Sequence, residues 1–321
     1  MKLLQCQLRT ESAFATPVVG DTLFGHLCWA IRMRFGNERL ESLLAGYTDD
    51  HPFLVVSDMI PDGVLPRPTM PQFLLSNEST SDVALRKTLK AKRWMPVEKA
   101  SLPLNQWLTD GLMTDNELLN TRQLNAQIAL VGHTMHQHNS LNRLTNTTGK
   151  GAGFAPYQQQ RIWYHPDIHW QLLLVIDEAR LSPAECQQVL EDVGLAGYGR
   201  DASSGLGKFS VLAINSLPEP SVSDCWLALA PVSLSPDDFV ADKSYYQTTV
   251  RFGRHGNTAV HSGNPFKKPI LLAQTGALLT APVSQPRYIA GHGIRGISDV
   301  MPETVHQGYA PVWPVTVKEA L

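Results

Sequence analysis

A glycine-rich loop is the first part of this sequence whose residue types and spacing could do chemistry. Residues 197–208, GYGRDASSGLGK, place two G-x-G pairs around a short polar run. The first pair satisfies a relaxed dinucleotide-binding pattern, but that pattern needs a strand before it and a helix after it, so that a helix N-terminus faces the phosphates. Here the sequence predicts a helix before the loop and a strand after it, and Phe209 stands where a P-loop requires Ser or Thr. We therefore predict no nucleotide cofactor.

The same loop has the composition of a site for a polynucleotide backbone. Its glycines allow backbone amides to face outward and a chain-like ligand to approach closely. Arginine and lysine could contact phosphates, serine hydroxyls could donate hydrogen bonds, and the tyrosine ring could stack a base. The RNA-binding residues predicted in the loop are Gly197, Tyr198, Gly199, Arg200, Ser203, Ser204, Gly205, Gly207 and Lys208. A loop that only turns the chain sharply is the alternative.

Histidines supply the other candidate chemistry. Metal-independent cleavage of RNA needs a base for the ribose 2′-hydroxyl and an acid for the leaving 5′-oxygen, and imidazole suits both near neutral pH. His26 and His138 are the candidates, but no Ser, Tyr or Lys partner is fixed by spacing for either. His133, His136 and His138 could suggest a metal site, yet neither H-E-x-x-H nor a carboxylate in register accompanies them. We predict no catalytic residue and no metal site.

The elements that must position the loop follow from hydrophobic periodicity and capping signals. The predicted elements are a strand near residues 2–9, a helix capped by Asp21 and running to Phe35, a short helix ended by Gly46, strands at 52–57 and 168–176, a helix from the capping box Ser182–Glu185 to Val193, and a strand at 209–214. This order is β-α-β, an insertion, then β-α-β, which is the ferredoxin-like arrangement of two helices on one face of an antiparallel sheet. The open face of such a sheet commonly meets RNA.

The outward face of the first predicted helix is unusually apolar. Trp29 and Met33 fall on it together with His26, opposite the residues that should be buried. A wholly solvated face rarely carries Trp and Met, so we expect this one to meet another surface, such as a partner.

The domain organisation predicted for this α+β chain has two parts. Residues 1–217 form the first domain. Its irregular segment at about 61–165 is interpreted as an insertion that is not part of the core. Residues 218–321 form a smaller, strand-rich domain after a Pro-rich linker. Its short strands are predicted at 226–230, 245–252, 269–272 and 312–317.

Composition excludes several classes of protein. The 321 residues carry a formal charge of only −2, so a polyanion site must be local. The basic stretch from Ala84 to Lys99 is interpreted as a solvated helix face. The four cysteines show no C-x-x-C spacing, which predicts free thiols in a reducing compartment. The N-terminal apolar run is too short for a signal peptide and no span reaches membrane length, so we expect a soluble, cytoplasmic protein.

The glycine loop in this context resembles that of the RAMP superfamily of CRISPR proteins. Three further segments narrow the likeness: GDTLFGHLCWAI at 20–31, HNSLNRLTNTTG at 138–149 and HQGYAPVWPV at 306–315. Together, in this order, they are similar to the family of fourth subunits of the Csm complex, the type III-A effector.

The resemblance implies a fold and a role. The fold is two ferredoxin-like (RRM-like) domains, the first with a thumb-like insertion. The role is that of a non-catalytic subunit in antiviral defence, which holds the 5′ repeat-derived tag of the crRNA and caps the foot of the complex. Its implied partners are the crRNA, the large polymerase/nuclease subunit and the repeated backbone RAMP subunit. The alternative is a metal-independent RAMP endoribonuclease that processes CRISPR repeat RNA.

The resemblance also assigns residues by position. The thumb would carry His138, Asn139, Asn142, Arg143 and Thr145. Weaker candidates for RNA contact are Gly291 and Arg295 in a second glycine-rich piece, the run from Arg251 to Arg254, and the pair Lys267 and Lys268. Each of these could also be an ordinary turn or solvated charge.

Overall fold

The computed structural model describes residues 1–71, 74–75, 83–148, 155–235, 238–256 and 264–317. Its helices are α1 (Gly20–Phe35), α2 (Asn37–Leu44), α3 (Val83–Ala91), α4 (Asp115–Thr121) and α5 (Pro183–Ala196). Its strands are β1 (Lys2–Thr10), β2 (Leu54–Val56), β3 (Ile60–Pro61), β4 (Val64–Pro66), β5 (Trp94–Pro96), β6 (Val131–His138), β7 (Tyr157–Tyr164), β8 (Trp170–Ile176), β9 (Phe209–Ser216), β10 (Ser223–Ala228), β11 (Thr248–Arg251), β12 (Ile270–Ala273), β13 (Leu278–Gln285), β14 (Ile289–Gly291) and β15 (Tyr309–Val315).

The main sheet has the antiparallel order β2-β8-β1-β9, and β3 also pairs with β8. Alternation in β1 puts Leu4, Cys6 and Leu8 in a large hydrophobic core shared with α1 and α5. The predicted capping box is present at the start of α5, where Ser182 and Glu185 satisfy each other's backbone amides. The order of elements predicted for this half of the chain is therefore confirmed.

The insertion between β3 and β8 contributes buried residues to a second hydrophobic core, so the prediction that it lies outside the core is wrong. Trp107 and Leu108 are fully buried there, and they belong to a cluster that includes Leu173 of β8 and Leu227 of β10. This cluster covers part of the sheet face that was expected to be open. Around Trp107 and Leu108 the chain runs through the three-residue strand β5 and through 3₁₀ and π turns, which leave no periodicity in the sequence.

The C-terminal part contains a four-stranded antiparallel sheet, in the order β13-β10-β15-β14, and the two-stranded ribbon β11–β12. The described part of 218–317 includes no α-helix, only a 3₁₀ turn at Ala241–Lys243. Its classification as a second ferredoxin-like domain is therefore not confirmed, whereas the mixed α+β class is. All four cysteines are free thiols. Among the described helices, none has the length and apolarity needed to cross a bilayer.

Asp21 joins the two parts of the chain and does not cap α1. The helix begins at Gly20 with Val19 at the N-cap, and Asp21 is buried in its first turn. Its carboxylate accepts from Nε and an Nη of Arg251 at 2.6 and 2.5 Å, and Nε2 of His306 lies 3.3 Å away. Burial raises the pKa of Asp21, but His306 and Arg251 outweigh it and hold the pKa well below its ordinary value. The predicted cap is thus a buried ion pair.

A second carboxylate, Asp58, lies at the same junction. Its oxygens accept from the Gly20 amide at 2.8 Å and from the Thr275 hydroxyl at 2.5 Å. Desolvation raises the pKa of Asp58 to about 7, although both hydrogen bonds and Arg251 act in the opposite direction.

Asp58→Asn is expected to stabilise the fold progressively as pH rises from about 4 to about 8. Because the folded pKa of about 7 lies above the ordinary value of 3.8, the wild-type fold favours the protonated acid and loses stability as pH rises through this window. The neutral amide does not titrate. Urea unfolding of both proteins across this pH range measures the difference, and a difference that does not change with pH contradicts the assignment.

Candidate nucleic-acid interface

The glycine loop begins where Gly197 ends α5 with φ of 99°. The two ends of the loop pack on each other, since the Tyr198 amide donates to the Gly207 carbonyl at 2.9 Å. A Cβ on Gly207 would overlap the Tyr198 carbonyl oxygen, and one on Gly197 would lie 2.5 Å from the Leu206 carbonyl oxygen. At these two positions the close approach that requires glycine is to the loop's own backbone, and not to a ligand.

Tyr198 is fully buried, so its assignment as a base-stacking residue is wrong. Its hydroxyl donates to the Pro17 carbonyl at 2.9 Å and accepts from the Val19 amide at 3.2 Å. The ring therefore fixes the segment before α1 against the loop. The sequence could not show this, because a tyrosine flanked by two glycines fits an inward or an outward orientation equally well.

His26 holds the loop against the outward face of α1. The Gly199 amide donates to Nε2 of His26 at 3.1 Å, and the imidazole lies 5.0 Å from the Tyr198 ring. Burial lowers the pKa of His26, which favours the neutral form that this hydrogen bond needs. Its Nε2 lone pair is thus engaged with the backbone, which gives His26 a positioning role.

The two cations of the loop are used differently. The Arg200 side chain is 61% exposed, and its Nε lies 3.3 Å from Oδ2 of Asp201. The Lys208 ammonium donates to the Leu195 carbonyl at the end of α5, where it completes the helix terminus. Arg200 is therefore the more accessible cation of the pair. Ser203 and Ser204 are exposed on a 3₁₀ turn between them.

The hairpin β6–β7 reaches the glycine loop through one side-chain contact. Its strands pair from Val131↔Tyr164 to His138↔Tyr157. Nε2 of Gln159 donates to Oδ2 of Asp201 at 2.8 Å, and Nε of Arg161 donates to Oε1 of Gln159 at 3.1 Å. With the Arg200–Asp201 ion pair, these contacts make a continuous chain from Arg161 through Gln159 and Asp201 to Arg200.

One face of the hairpin carries aromatic and basic side chains. Strand alternation puts seven side chains on this face: Tyr157, Gln159, Arg161 and Trp163 of β7 with Thr134, His136 and His138 of β6. The His138 and Tyr157 rings stack at 5.3 Å, and Nε1 of Trp163 donates to Thr134 at 2.9 Å. The residues of β7 were missed by sequence reasoning, because YQQQRIWY has no alternation of apolar and polar residues and only its aromatic and β-branched residues favour a strand.

His133 lies on the opposite face of the hairpin from His136 and His138, so the three imidazoles do not converge. In the ranges that the structure describes, no three His, Cys, Asp or Glu side chains are grouped so as to hold a metal ion.

The turn after β6 contains the other residues that were predicted to belong to a thumb. Asn142 shapes it, because its amide donates to the Thr147 carbonyl at 3.0 Å and its Oδ1 accepts from the Leu144 amide at 3.0 Å. Asn139, Arg143 and Thr145 are exposed. Gly149, the last residue of the quoted thumb segment, lies outside the described residues.

The weaker candidates lie elsewhere. Gly291 ends β14 with φ of 83° and packs against the Gly308 carbonyl, which accounts for the glycine. Arg295 is exposed, and no contact recorded among the described residues joins it to the glycine loop. In the basic stretch, Arg93 forms a bidentate pair with Asp115 and Lys92 donates to the Leu108 carbonyl. Both residues lie after α3, so the interpretation of the whole stretch as a solvated helix face is wrong for them, whereas Lys87 and Lys90 on α3 are exposed.

No family model and no curated protein matches the sequence. Solved structures do match the fold over nearly the whole chain. A chain of a Csm1–Csm4 cassette in complex with AMPPNP is 14% identical, with a TM-score of 0.59 and coverage of 99% of this chain and 100% of that one. A chain of a Csm3–Csm4 subcomplex of the type III-A CRISPR-Cas interference complex is 13% identical, with a TM-score of 0.60 and coverage of 98% and 100%. At such identities the likeness shows a shared fold, which confirms at that level the resemblance identified from the motifs.

Proposed function

We propose that this chain is the fourth subunit of a type III-A CRISPR effector and binds the 5′ repeat-derived tag of a crRNA in antiviral defence. The observation that carries the proposal is the chain of contacts from Arg161 through Gln159 and Asp201 to Arg200. It sets one guanidinium group at each end of a chain of polar contacts that joins the hairpin to the glycine loop. The shared fold supports it, since both similar assemblies contain Csm4.

RNA recognition in this proposal divides between phosphates and bases. Arg161 and Arg200 bind phosphate oxygens, and the hydroxyls of Ser203 and Ser204 add neutral donors. Bases splayed out of the strand stack on the Trp163 ring and on the aromatic pair at the hairpin end. Lys208 and His26 act indirectly, because each holds the loop in place.

The proposal extends to fold details and to partners. Residues 1–217 are a ferredoxin-like RAMP domain, and the hairpin β6–β7 is its thumb. The similar chains come from assemblies of Csm4 with Csm1 and with Csm3. By analogy, this subunit caps the foot of its complex in the cytoplasm, between a large polymerase/nuclease subunit and a backbone subunit. Met33, 68% exposed on the outward face of α1, is one apolar side chain available for such a contact.

The subunit is proposed to be non-catalytic. The engaged Nε2 of His26 supports this, since a general base needs a lone pair directed at the substrate. His138 stacks on Tyr157, an arrangement suited to contact with a base.

Replacing both arginines by glutamate (Arg161→Glu with Arg200→Glu) is expected to weaken single-stranded RNA binding by about 10- to 100-fold. Each lost phosphate contact should also lower the slope of log K against log salt by about 0.7. Fluorescence anisotropy with repeat-derived RNA at several salt concentrations measures both quantities. Lys2→Glu is the matched control, because it reverses an exposed cation that pairs with Glu178 on another part of the sheet.

An unchanged affinity and slope in the double variant would remove the loop and hairpin from the RNA site. Incubation of the wild-type protein with repeat RNA in EDTA tests the non-catalytic assignment. Cleavage at one position that is lost in His26→Ala or His138→Ala would replace the proposal with an RNA-processing endoribonuclease.

A further inference from the structure

The ribbon β11–β12 and its continuation expose aromatic and aliphatic side chains on one face. Phe252 is 78% exposed, Phe266 and Leu271 are each 64% exposed, and Val250 is 48% exposed. Arg254 and Phe266 are cross-strand partners, and the guanidinium carbon lies 5.7 Å from the centre of the Phe266 ring. We call these five residues the outer ribbon face. They account for several of the most exposed large apolar side chains of the described residues.

The opposite face of the ribbon explains why the rings point outward. Arg251 alternates with Phe252 and forms the buried ion pair with Asp21. Lys267 alternates with Phe266, and its stem packs on Gly253, where a Cβ would lie 3.0 Å from the lysine Cδ. The cationic side chains thus anchor the ribbon from within, and this anchoring fixes the phenylalanines in solvent.

Charge indicates what the outer ribbon face meets. Residues 243–298 include no Asp or Glu, although the whole chain has 29 acids against 27 Lys and Arg. Within that acid-free segment lie seven cations, Lys243, Arg251, Arg254, Lys267, Lys268, Arg287 and Arg295. Arg251 and Lys267 face inward and Lys268 pairs with Asp299, so Arg254 is the cation that lies among the exposed rings. Exposed rings with an arginine beside them, and no acid among the five residues of the outer ribbon face, are the parts that bind single-stranded nucleic acid: stacking platforms and phosphate contacts.

The ribbon and the glycine loop contact α1 from different sides. Arg251 reaches Asp21, whereas the Gly199 amide reaches His26. Successive residues of a helix are rotated by about 100° around its axis, so Asp21 and His26, five residues apart, point in directions about 140° apart. A strand that leaves the loop could therefore cross the outward face of α1 and arrive at the ribbon.

We propose that the outer ribbon face is a second contact for single-stranded RNA, in which Phe252 and Phe266 stack bases and Arg254 binds a phosphate. This rests on the proposed function, since it extends an RNA site at the loop and hairpin. The ligand is recognised by its ring faces and backbone, so binding is tolerant of sequence.

The test compares oligouridylates of about 6 and about 15 nucleotides, lengths within and beyond the span of one small binding site. Phe252→Leu with Phe266→Leu keeps apolar area but removes the rings. It should weaken binding of the long oligomer by about 10-fold or more and leave the short one unchanged. Phe252→Tyr with Phe266→Tyr should retain wild-type affinity. Val283→Ala, at a side chain 65% exposed on β13, is the control for loss of an exposed apolar group.

A competition experiment shows whether the ribbon binds the same RNA strand as the glycine loop or a second one. A labelled long oligomer is added to protein saturated with the unlabelled short oligomer. Displacement of the short oligomer shows one continuous strand, and a ternary complex shows a second strand. Displacement or a ternary complex each supports the ribbon site, provided that the leucine variant binds the long oligomer more weakly than the wild type does. Equal binding by the leucine variant and the wild type overturns the ribbon proposal alone. A wild-type protein that binds neither oligomer overturns the proposed function itself.

Discussion

Asp21→Asn is expected to lower the free energy of unfolding by about 3 kcal/mol or more, because it leaves Arg251 and His306 as buried polar groups without a carboxylate. The Asp21 side chain has no exposure, and that of Arg251 has 28%. Replacing a whole buried ion pair by apolar residues changes the free energy of unfolding little. Removing only one partner lowers it much more, since the remaining charge stays desolvated. Urea unfolding at neutral pH, followed by tryptophan fluorescence, measures the loss.

The matched control is Asp192→Asn. Asp192 accepts from Arg34 in a bidentate pair between α1 and α5, with donor–acceptor distances of 2.6 and 2.7 Å, but both side chains are about one-third exposed. Water compensates an exposed charge, so this change should cost only about 0–1 kcal/mol. Equal losses in the two variants would mean that the Asp21 pair is solvated in solution.

Gly207→Ala should be among the most damaging substitutions in the glycine loop. The residue has φ of 75°, and a Cβ would overlap the Tyr198 carbonyl oxygen and lie 2.6 Å from the Tyr198 nitrogen. Both neighbours are backbone atoms that cannot rotate away, so the loop must open. We expect a loss of about 3 kcal/mol in stability, with a fall in Tm of several degrees in differential scanning calorimetry.

Gly205→Ala separates this steric effect from the cost of the backbone conformation. Gly205 has φ of 85°, but nothing lies within 4 Å of the position its Cβ would take. Alanine there should cost only about 1 kcal/mol, the usual penalty for a left-handed residue with a side chain. If the two variants unfolded at the same temperature, the packing of the loop ends on each other would be contradicted.

Periodic segments were predictable from the sequence, because their apolar residues recur at the spacing of the element. The alternation around Cys6 and the capping box at Ser182 gave the main sheet and α5 within a few residues. The insertion was misread for the opposite reason. Its buried residues, such as Trp107, are brought together by turns and very short strands, which leave no period in the sequence.

The position of the glycine loop between a helix and a strand was predictable, but the contacts of its side chains were less so. Arg200 is exposed as expected, whereas Tyr198 and Lys208 turn to the protein itself. Asp21 looked like a cap because its partner Arg251 is 230 residues away in sequence, a pairing that local patterns cannot show. Arg161 and its contact with the loop depend on how the hairpin folds back, which is likewise a long-range feature.

The pairing of β1 has a consequence for biosynthesis. This strand lies between β8 and β9, so its partners are complete only when residue 216 has been synthesised. Until then the apolar faces of β1 and α1 lack their cover, and contacts of such sequence separation form slowly. The nascent chain therefore carries unpaired strand edges until that point, and the hydrogen bonds that join the glycine loop to His26, Ser12 and Thr16 form only after the loop has been synthesised.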